Sequence, residues 1–280
     1  PDPTPVEFVV LHGSSSSLVL EARADQAPIW RYWGPRLPDG TTPGAPLRET
    51  RPLPSFNLDV DQPLTLAPSF GVGWFNQSAL LAHRAGLDFA QAFTRCTLQW
   101  VEPRRKLQMQ LDDAVASLRL TLHLSLDAND VLVIRSELTN IGASPLDVQW
   151  LAAGTLPLPD HAHSVRSYAG QHMQEFLLQV DTLSRSTWRR ENRRGRTSHD
   201  CFPGAVVTTP GATEHQGLVY GAHLAWSGNH QQTIEWLHDG QYQWQLGEWL
   251  TPGEGLLAPG ATLATPEIVA SCSTQGLNGL

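Results

Sequence analysis

The chain has 280 residues, with 27 acidic and 19 basic side chains and a net charge of −8. This charge would repel a phosphate backbone, so the composition argues against nucleic acid as a partner. No run approaches the roughly 20 consecutive apolar residues of a membrane helix, and the first ten residues lack the features of a signal peptide. We expect a soluble, cytoplasmic protein with no membrane partner.

The three cysteines, Cys96, Cys201 and Cys272, are widely spaced and form no CxxC pair. An odd number of cysteines without zinc-ligand spacing predicts free thiols in a reducing compartment. Their simplest role is that of small buried apolar side chains.

Short β-rich runs follow one another through the first half of the chain. They lie at residues 6–11, 17–22, 93–101 and 107–111. Residues 117–126 then alternate leucine with polar residues, which is the period of a strand with one buried face. Runs at 131–139 and 146–151 follow after turn-like sequences. We predict that these last three runs form an antiparallel meander.

The second half continues in the same way, with runs at 176–180, 217–226, 233–237 and 242–246. Asp239 and Gly240 predict a hairpin between the last two runs. Long amphipathic helical patterns are missing, and 21 prolines and 23 glycines punctuate the chain. These features predict an all-β fold, a large antiparallel β-sandwich formed by residues 1–280 as a single domain. The proline-rich stretch 36–54 is interpreted as a long loop.

Three histidines are candidate metal ligands. His161 and His163 would share one face of an extended segment, and His172 follows, but no carboxylate has matching spacing, so we expect surface histidines and no metal. The chain contains no GxSxG, P-loop or dinucleotide fingerprint, which leaves serine-hydrolase chemistry and nucleotide cofactors without support.

Six arginines lie close together in an otherwise acidic chain: Arg185, Arg189, Arg190, Arg193, Arg194 and Arg196. Two interpretations stay open. The arginines form surface ion pairs on a solvated loop, or they form a docking surface for an acidic partner domain.

Ten tryptophans are many for this length, and indole rings pack well on the C–H faces of sugars. Trp30, Trp33 and Trp74 lie beside turns and are expected to be exposed for stacking. Those that fall in strand patterns are expected in the core: Trp100, Trp150, Trp226, Trp236 and Trp244.

Several short blocks occur in a recognisable order. They are residues 29–34 (IWRYWG), 56–59 (FNLD), 68–75 (PSFGVGWF), 194–199 (RGRTSH), 226–230 (WSGNH), 245–247 (QLG), 265–267 (TPE) and 275–279 (QGLNG). In these blocks the chain resembles the amino-terminal domain of family 36 α-galactosidases. The resemblance covers essentially all 280 residues. It departs at Trp74 and Asn76, where many members carry Asp and Arg, and at residues 201–203.

The resemblance implies a β-supersandwich followed by a (β/α)₈ barrel that carries two catalytic aspartates and needs no cofactor. The barrel would begin after Leu280, so no catalytic residue is expected in this chain. Its own close carboxylate pairs are Asp59 with Asp61 and Asp112 with Asp113, and we expect them to be turn-forming or solvated.

Family members often form tetramers in which amino-terminal loops approach a neighbouring active site. The resemblance therefore implies a homo-oligomer in which five side chains narrow a pocket for α-galactoside sugars: Tyr32, Trp33, Phe70, Trp74 and Phe75. Four others would serve docking of the barrel: Arg194, Gly195, Ser198 and His199. Gly195 would make a turn that a side chain would prevent. An autonomous carbohydrate-binding sandwich and a purely structural module stay open as alternatives.

Overall fold

A computed structural model describes residues 6–41, 62–196 and 200–280. It is built from strands, with two single-turn 3₁₀ helices at Phe70–Val72 and Leu277–Gly279. The strands in chain order are β1 (Val6–His12), β2 (Ser16–Arg23), β3 (Gln26–Pro35), β4 (Leu80–His83), β5 (Arg95–Glu102), β6 (Lys106–Asp113), β7 (Leu118–Leu126), β8 (Leu132–Asn140), β9 (Leu146–Leu158), β10 (Ser164–Gln171), β11 (Gln174–Thr182), β12 (Thr187–Asn192), β13 (Cys201–Thr208), β14 (Val219–Leu224), β15 (His230–Trp236), β16 (Tyr242–Glu248), β17 (Leu256–Leu257), β18 (Thr262–Ala264) and β19 (Ile268–Ser273).

The strands form three antiparallel sheets. β1, β2 and β3 make a three-stranded sheet in chain order. A ten-stranded sheet runs in the order β11-β10-β13-β14-β19-β8-β7-β6-β5, with β18 also paired to β8. A six-stranded sheet runs β12-β15-β16-β9-β17, with β4 also paired to β9. The predicted all-β, antiparallel β-sandwich class is confirmed.

The core lies between the two large sheets. The leucines of β7 all point inward, as their period of two predicts, and each is at most 2% exposed. Gly154 on β9 marks a point of close contact, because a Cβ there would lie 2.7 Å from Ile134 Cγ2 of the facing sheet. The three-stranded sheet joins this core through Trp30, whose Nε1 donates a hydrogen bond to the Thr155 carbonyl at 2.8 Å.

The predicted meander is correct for two of its three strands. β7 and β8 pair in register from Leu118 with Asn140 to Leu126 with Leu132. β9 was expected beside them but belongs to the six-stranded sheet, where it pairs with β16 and β4. The predicted Asp239-Gly240 hairpin is confirmed, since Trp236 of β15 pairs with Tyr242 of β16 and Gly240 has φ +92°.

Two further sequence predictions concern the loop and the membrane. Only residues 36–41 of the predicted long loop are described, and residues 42–54 lie outside the described ranges. Within those ranges no helix has the length and apolar character of a membrane span.

Candidate functional site

Trp30 and Trp33 lie in the interior of the protein. Trp33 is 5% exposed, and its ring meets that of Tyr220 edge to face with centroids 5.1 Å apart. Trp30 is 1% exposed. The expectation of exposed indoles is therefore wrong for both, because β3 turns them into the core. Tyr32 is half-buried, its hydroxyl donates to the Pro35 carbonyl at 2.6 Å, and burial raises its pKa to about 12.

Trp74 is buried as well, which is a second correction. It is 6% exposed and its Nε1 donates to the Gln77 carbonyl at 3.2 Å. The segment around it is held by the 3₁₀ turn Phe70–Val72, which ends at Gly73 with φ +89°. Gly71 presses against a neighbouring loop, since a Cβ there would come within 2.4 Å of the Ala90 carbonyl.

The same segment presents an aromatic patch, which we define as Phe70, Phe75 and Phe89. The Phe70 ring lies 5.8 Å from that of Phe75 and 6.3 Å from that of Phe89. Phe75 is 68% exposed and Phe89 is 59% exposed. Phe89 was missed by the sequence analysis because it follows no strand period, and only folding brings it beside Phe70. Rings clustered at the surface can stack on an apolar face of a ligand.

The remaining tryptophans follow the prediction in part. Trp150 and Trp244 are buried, at 4% and 0%, while Trp100 and Trp236 are partly buried against the core. Trp226 was expected in the core but is 39% exposed, because β14 ends two residues before it.

Two of the sequence blocks meet at one corner of the six-stranded sheet. Gly195 has φ +73°, as the predicted turn requires, and its N–H donates to Asn229 Oδ1 at 2.7 Å. Arg194 Nε contacts Asp200 Oδ2 at 2.7 Å, and its N–H donates to Asn192 Oδ1. We call Asn192, Arg194, Gly195 and Asn229 the Asn229 corner. Ser198 and His199, the other two predicted docking residues, lie outside the described residues.

The arginine-rich segment is extensively paired. Arg189 contacts Glu191 at 2.6 Å and Arg193 contacts the same carboxylate. Arg190 contacts Asp181 at 3.3 Å. Two guanidinium groups also lie over indole rings, that of Arg185 over Trp236 at 5.5 Å and that of Arg193 over Trp249 at 4.8 Å. Much of the cluster's charge is thus balanced locally, which weakens its attraction for a distant acidic surface.

The described carboxylates that were weighed as a catalytic pair have structural contacts. Asp112 accepts a hydrogen bond from Arg119 at 2.8 Å, and this bond outweighs partial burial and lowers the Asp112 pKa. Asp113 is 2% exposed and accepts backbone N–H groups of Ala92, Val115 and Ala116 at 2.7–2.9 Å. The other pair, Asp59 and Asp61, lies outside the described residues.

A third pair of carboxyl groups, Glu248 and Glu254, was missed in the sequence and lies near the Asn229 corner, where the N–H of Trp249, the residue after Glu248, donates to the Asn229 carbonyl at 3.1 Å. Burial raises the pKa of Glu248, and the charge of Glu254 adds to the rise. Hydrogen bonds from the Thr251 N–H and hydroxyl, at 2.8 and 2.7 Å, lower the pKa of Glu254. These opposite shifts follow from burial of one group and from the Thr251 hydrogen bonds to the other, and they assign neither carboxyl group a catalytic role.

The three histidines are exposed, as predicted, and the three cysteines form no disulfide. His161 lies in the turn between β9 and β10 with Asp160 at 3.1 Å, and His163 and His172 are exposed. No group of three or more His, Cys, Asp and Glu in the described ranges could hold a metal ion. All three cysteines are free, as predicted, and Cys201 and Cys272 are buried while Cys96 is partly so.

Sequence comparisons with known proteins agree on one family. A family model described as the glycosyl hydrolase family 36 N-terminal domain matches residues 26–258. The α-galactosidase of Escherichia coli is 35% identical over 274 residues, which cover 98% of this chain and 38% of that protein. Alpha-galactosidase 2 of Pediococcus pentosaceus is 31% identical over 182 residues, 64% of this chain and 25% of that protein.

Solved structures share the fold. The crystal structure of a variant of the family 36 α-galactosidase AgaA from Geobacillus stearothermophilus in complex with stachyose has a TM-score of 0.85 at 24% identity. The match covers 98% of this chain and 41% of that one. The chain therefore spans less than half the length of the relatives it matches. Sequence and fold together show that the chain belongs to the glycosyl hydrolase family 36 N-terminal domain family.

Proposed function

We propose that residues 1–280 are the non-catalytic amino-terminal domain of an α-galactosidase that hydrolyses terminal α-galactosides with retention. The observation that carries the proposal is the alignment of 98% of this chain with 38% of the E. coli α-galactosidase. Structural relatives were solved with raffinose and stachyose, which supports substrates of the melibiose or raffinose type for the whole protein. In this account a (β/α)₈ barrel follows Leu280.

The barrel would supply both catalytic carboxyl groups. Hydrolysis with retention uses one carboxylate as nucleophile and one carboxyl as acid and then base, with water as the second reactant and no cofactor. The domain described here would contribute by supporting the barrel and by shaping the entrance to the site. The structural contacts of Asp112 and Asp113 support this division of roles.

The aromatic patch is our candidate for sugar contact. Phe70 and Phe75 present exposed rings, which can pack against the C–H face of a galactoside once a second subunit brings an active site close. Trp33 and Trp74, being buried, would position these elements without touching sugar. Tyr32 stays a candidate through its ring, since its hydroxyl is already bonded to Pro35. This role requires a homo-oligomer, which we propose to be a tetramer.

The Asn229 corner is our candidate for docking the barrel. The bond from Gly195 to Asn229 and the contact from Arg194 to Asp200 fix the shape of an otherwise exposed loop. Such a fixed loop loses little conformational entropy when a partner domain packs on it.

We assign the protein to the cytoplasm on the basis of its three free cysteines.

Calorimetry on the 280-residue chain with galactose and melibiose, run beside an assay on a chromogenic α-galactoside, tests this proposal. Neither binding nor turnover is the expected result, because the site is completed elsewhere. Binding without turnover would instead favour an autonomous carbohydrate-binding module. The exposed aromatic patch is the observation that supports this alternative. Turnover by the isolated chain would contradict the non-catalytic role.

A further inference from the structure

The outer face of the ten-stranded sheet changes character halfway across. On β6, β7 and β8 its outward side chains are polar and pair with one another, as Arg119 does with Asp112 at 2.8 Å and Arg135 with Glu137 at 2.5 Å. Across β10, β13, β14 and β19 the outward positions instead line a mostly apolar groove, in which His223 and Ser271 are the polar side chains. A contiguous apolar region on an otherwise polar sheet face marks a surface that another segment or domain covers.

The groove has a volume of about 250 Å³. Its walls and floor include Tyr168, Phe202, Gly204, Val206, Gly221 and Val269. Gly221 has no side chain to fill the bottom of the groove. The Leu280 side chain packs over it, since a Cβ on Gly221 would lie 3.1 Å from Leu280 Cδ1. Leu280 is thus the first side chain to enter the groove, and it leaves the rest open.

An aromatic row extends the groove to the edge of the sheet. The Phe176 ring on β11 lies 5.5 Å from that of Tyr168 and 5.4 Å from that of Phe202. Phe176 and Val180 lie on this edge strand and are each 56% exposed, although both side chains are apolar. Exposed apolar edge strands invite association, and proteins usually protect them with charges or cover them.

We propose that the polypeptide that follows Leu280 in the longer protein packs into this groove and against β11. The chain end already lies there, so a continuing segment needs no detour to reach the groove. The E. coli relative is long enough to supply such a segment, since this chain matches only 38% of it. The inference rests on the proposed function and adds a second docking surface to the Asn229 corner.

A second copy of the chain fits the same surface less well. β11 is an open edge that could pair with β11 of a second copy, but Leu280 of the same chain already lies against Gly221 in the groove. A second copy would have to pack around this chain end. The position of Leu280 therefore favours the chain's own downstream segment.

Matched lysine substitutions on the two halves of the outer face test the proposal. Val206 lies in the groove and Thr121 on the polar half, and both are partly exposed β-branched residues on interior strands of the sheet. In the longer polypeptide, Val206→Lys is expected to lower the melting temperature by about 4 °C or more while Thr121→Lys leaves it unchanged. In the 280-residue chain, neither is expected to change it. Equal effects of the two lysines in the longer polypeptide would overturn the proposal.

Hydrogen exchange supplies a readout without any substitution. Amides of β11, β13 and β14 should exchange about tenfold more slowly in the longer polypeptide than in the 280-residue chain, and those of β7 at equal rates. A stable dimer of the 280-residue chain that Val206→Lys dissociates would instead assign the groove to a second copy and reject the proposal.

The outcomes for this surface and for the proposed function can be told apart. If the longer polypeptide is an active α-galactosidase and Val206→Lys does not change its melting temperature, the proposed function stands and the docking proposal for the groove is rejected. If the longer polypeptide is inactive on α-galactosides but Val206→Lys lowers its melting temperature, the proposed function is rejected and the docking proposal for the groove stands.

Discussion

The carboxylate of Asp130 joins the three-stranded sheet to the turn between β7 and β8. It accepts six hydrogen bonds from the backbone and hydroxyl groups of Ser14, Ser15 and Ser16, at 2.5–3.0 Å. Gly13 must be a glycine for this contact, since a Cβ there would lie 2.1 Å from Asp130 Oδ1. The serine run, which in the sequence indicates only a turn, is therefore a loop at the surface whose donors bind the buried Asp130 carboxylate.

Replacing Asp130 should destabilise the chain at neutral pH. Asp130→Ala removes a charged acceptor and leaves buried donors unpaired, so we expect a loss of roughly 3 kcal/mol in urea unfolding. Asn129→Ala, an exposed neighbour in the same turn, should change the free energy of unfolding by less than about 0.5 kcal/mol. Similar losses in the two variants would show that the serine loop does not hold the carboxylate.

The same carboxylate should make stability fall in acid. Burial alone would raise its pKa, but the serine hydrogen bonds outweigh burial and lower the pKa to about 2. A lowered folded-state pKa adds stability that is complete above the unfolded pKa of about 4 and is lost as the pH falls toward 2. Asp130→Asn should lack this part of the pH dependence. An unchanged profile between pH 4 and 2 would contradict the assignment.

The sugar-contact role of the aromatic patch can be tested in the proposed longer α-galactosidase. Phe75→Ala should raise the KM for raffinose about threefold to tenfold and change kcat by less than about twofold, because it removes stacking that is equal in ground and transition state. Val115→Ala, another exposed apolar residue, is the matched control. Unchanged kinetics in Phe75→Ala would count against a sugar-contact role.

At the scale of elements, local patterns predicted strands well and their partners less well. The alternation in β7 and the Asp-Gly turn before β16 each depend on a few neighbouring residues, so both were predictable. The sheet to which β9 belongs depends on β4 and β16, which are distant in sequence. The exposure of Trp33 and Trp74 was mispredicted for the same reason. Trp33 is buried by packing of the three-stranded sheet against Tyr220, and Trp74 is buried beside the Phe70–Val72 turn.

The packing of β9 on β8 can be tested directly. Gly154→Ala should lower the free energy of unfolding by about 1 to 3 kcal/mol, because the new methyl group would overlap Ile134. Combining it with Ile134→Ala should cost less than the sum of the two single changes, since the second substitution makes room. Strict additivity in a double-mutant cycle would show that the two sheets do not meet at this point.

At the scale of the whole molecule, the sequence was most informative through the order of its short blocks. Those blocks predicted the family, which the comparisons confirm. The groove on the ten-stranded sheet was not predictable, because Gly204, Gly221 and Val206 come together with Tyr168 only through strand pairing. In our proposals, the Asn229 corner docks the barrel and the groove holds the polypeptide that follows Leu280.

The most direct test compares two forms of the protein in one assay on a chromogenic α-galactoside. The 280-residue chain is expected to be folded and inactive, and the longer polypeptide that contains it is expected to release galactose with retained configuration. This result would confirm a supporting domain of an α-galactosidase. Turnover by the 280-residue chain alone, or an inactive but folded longer polypeptide, would contradict the account.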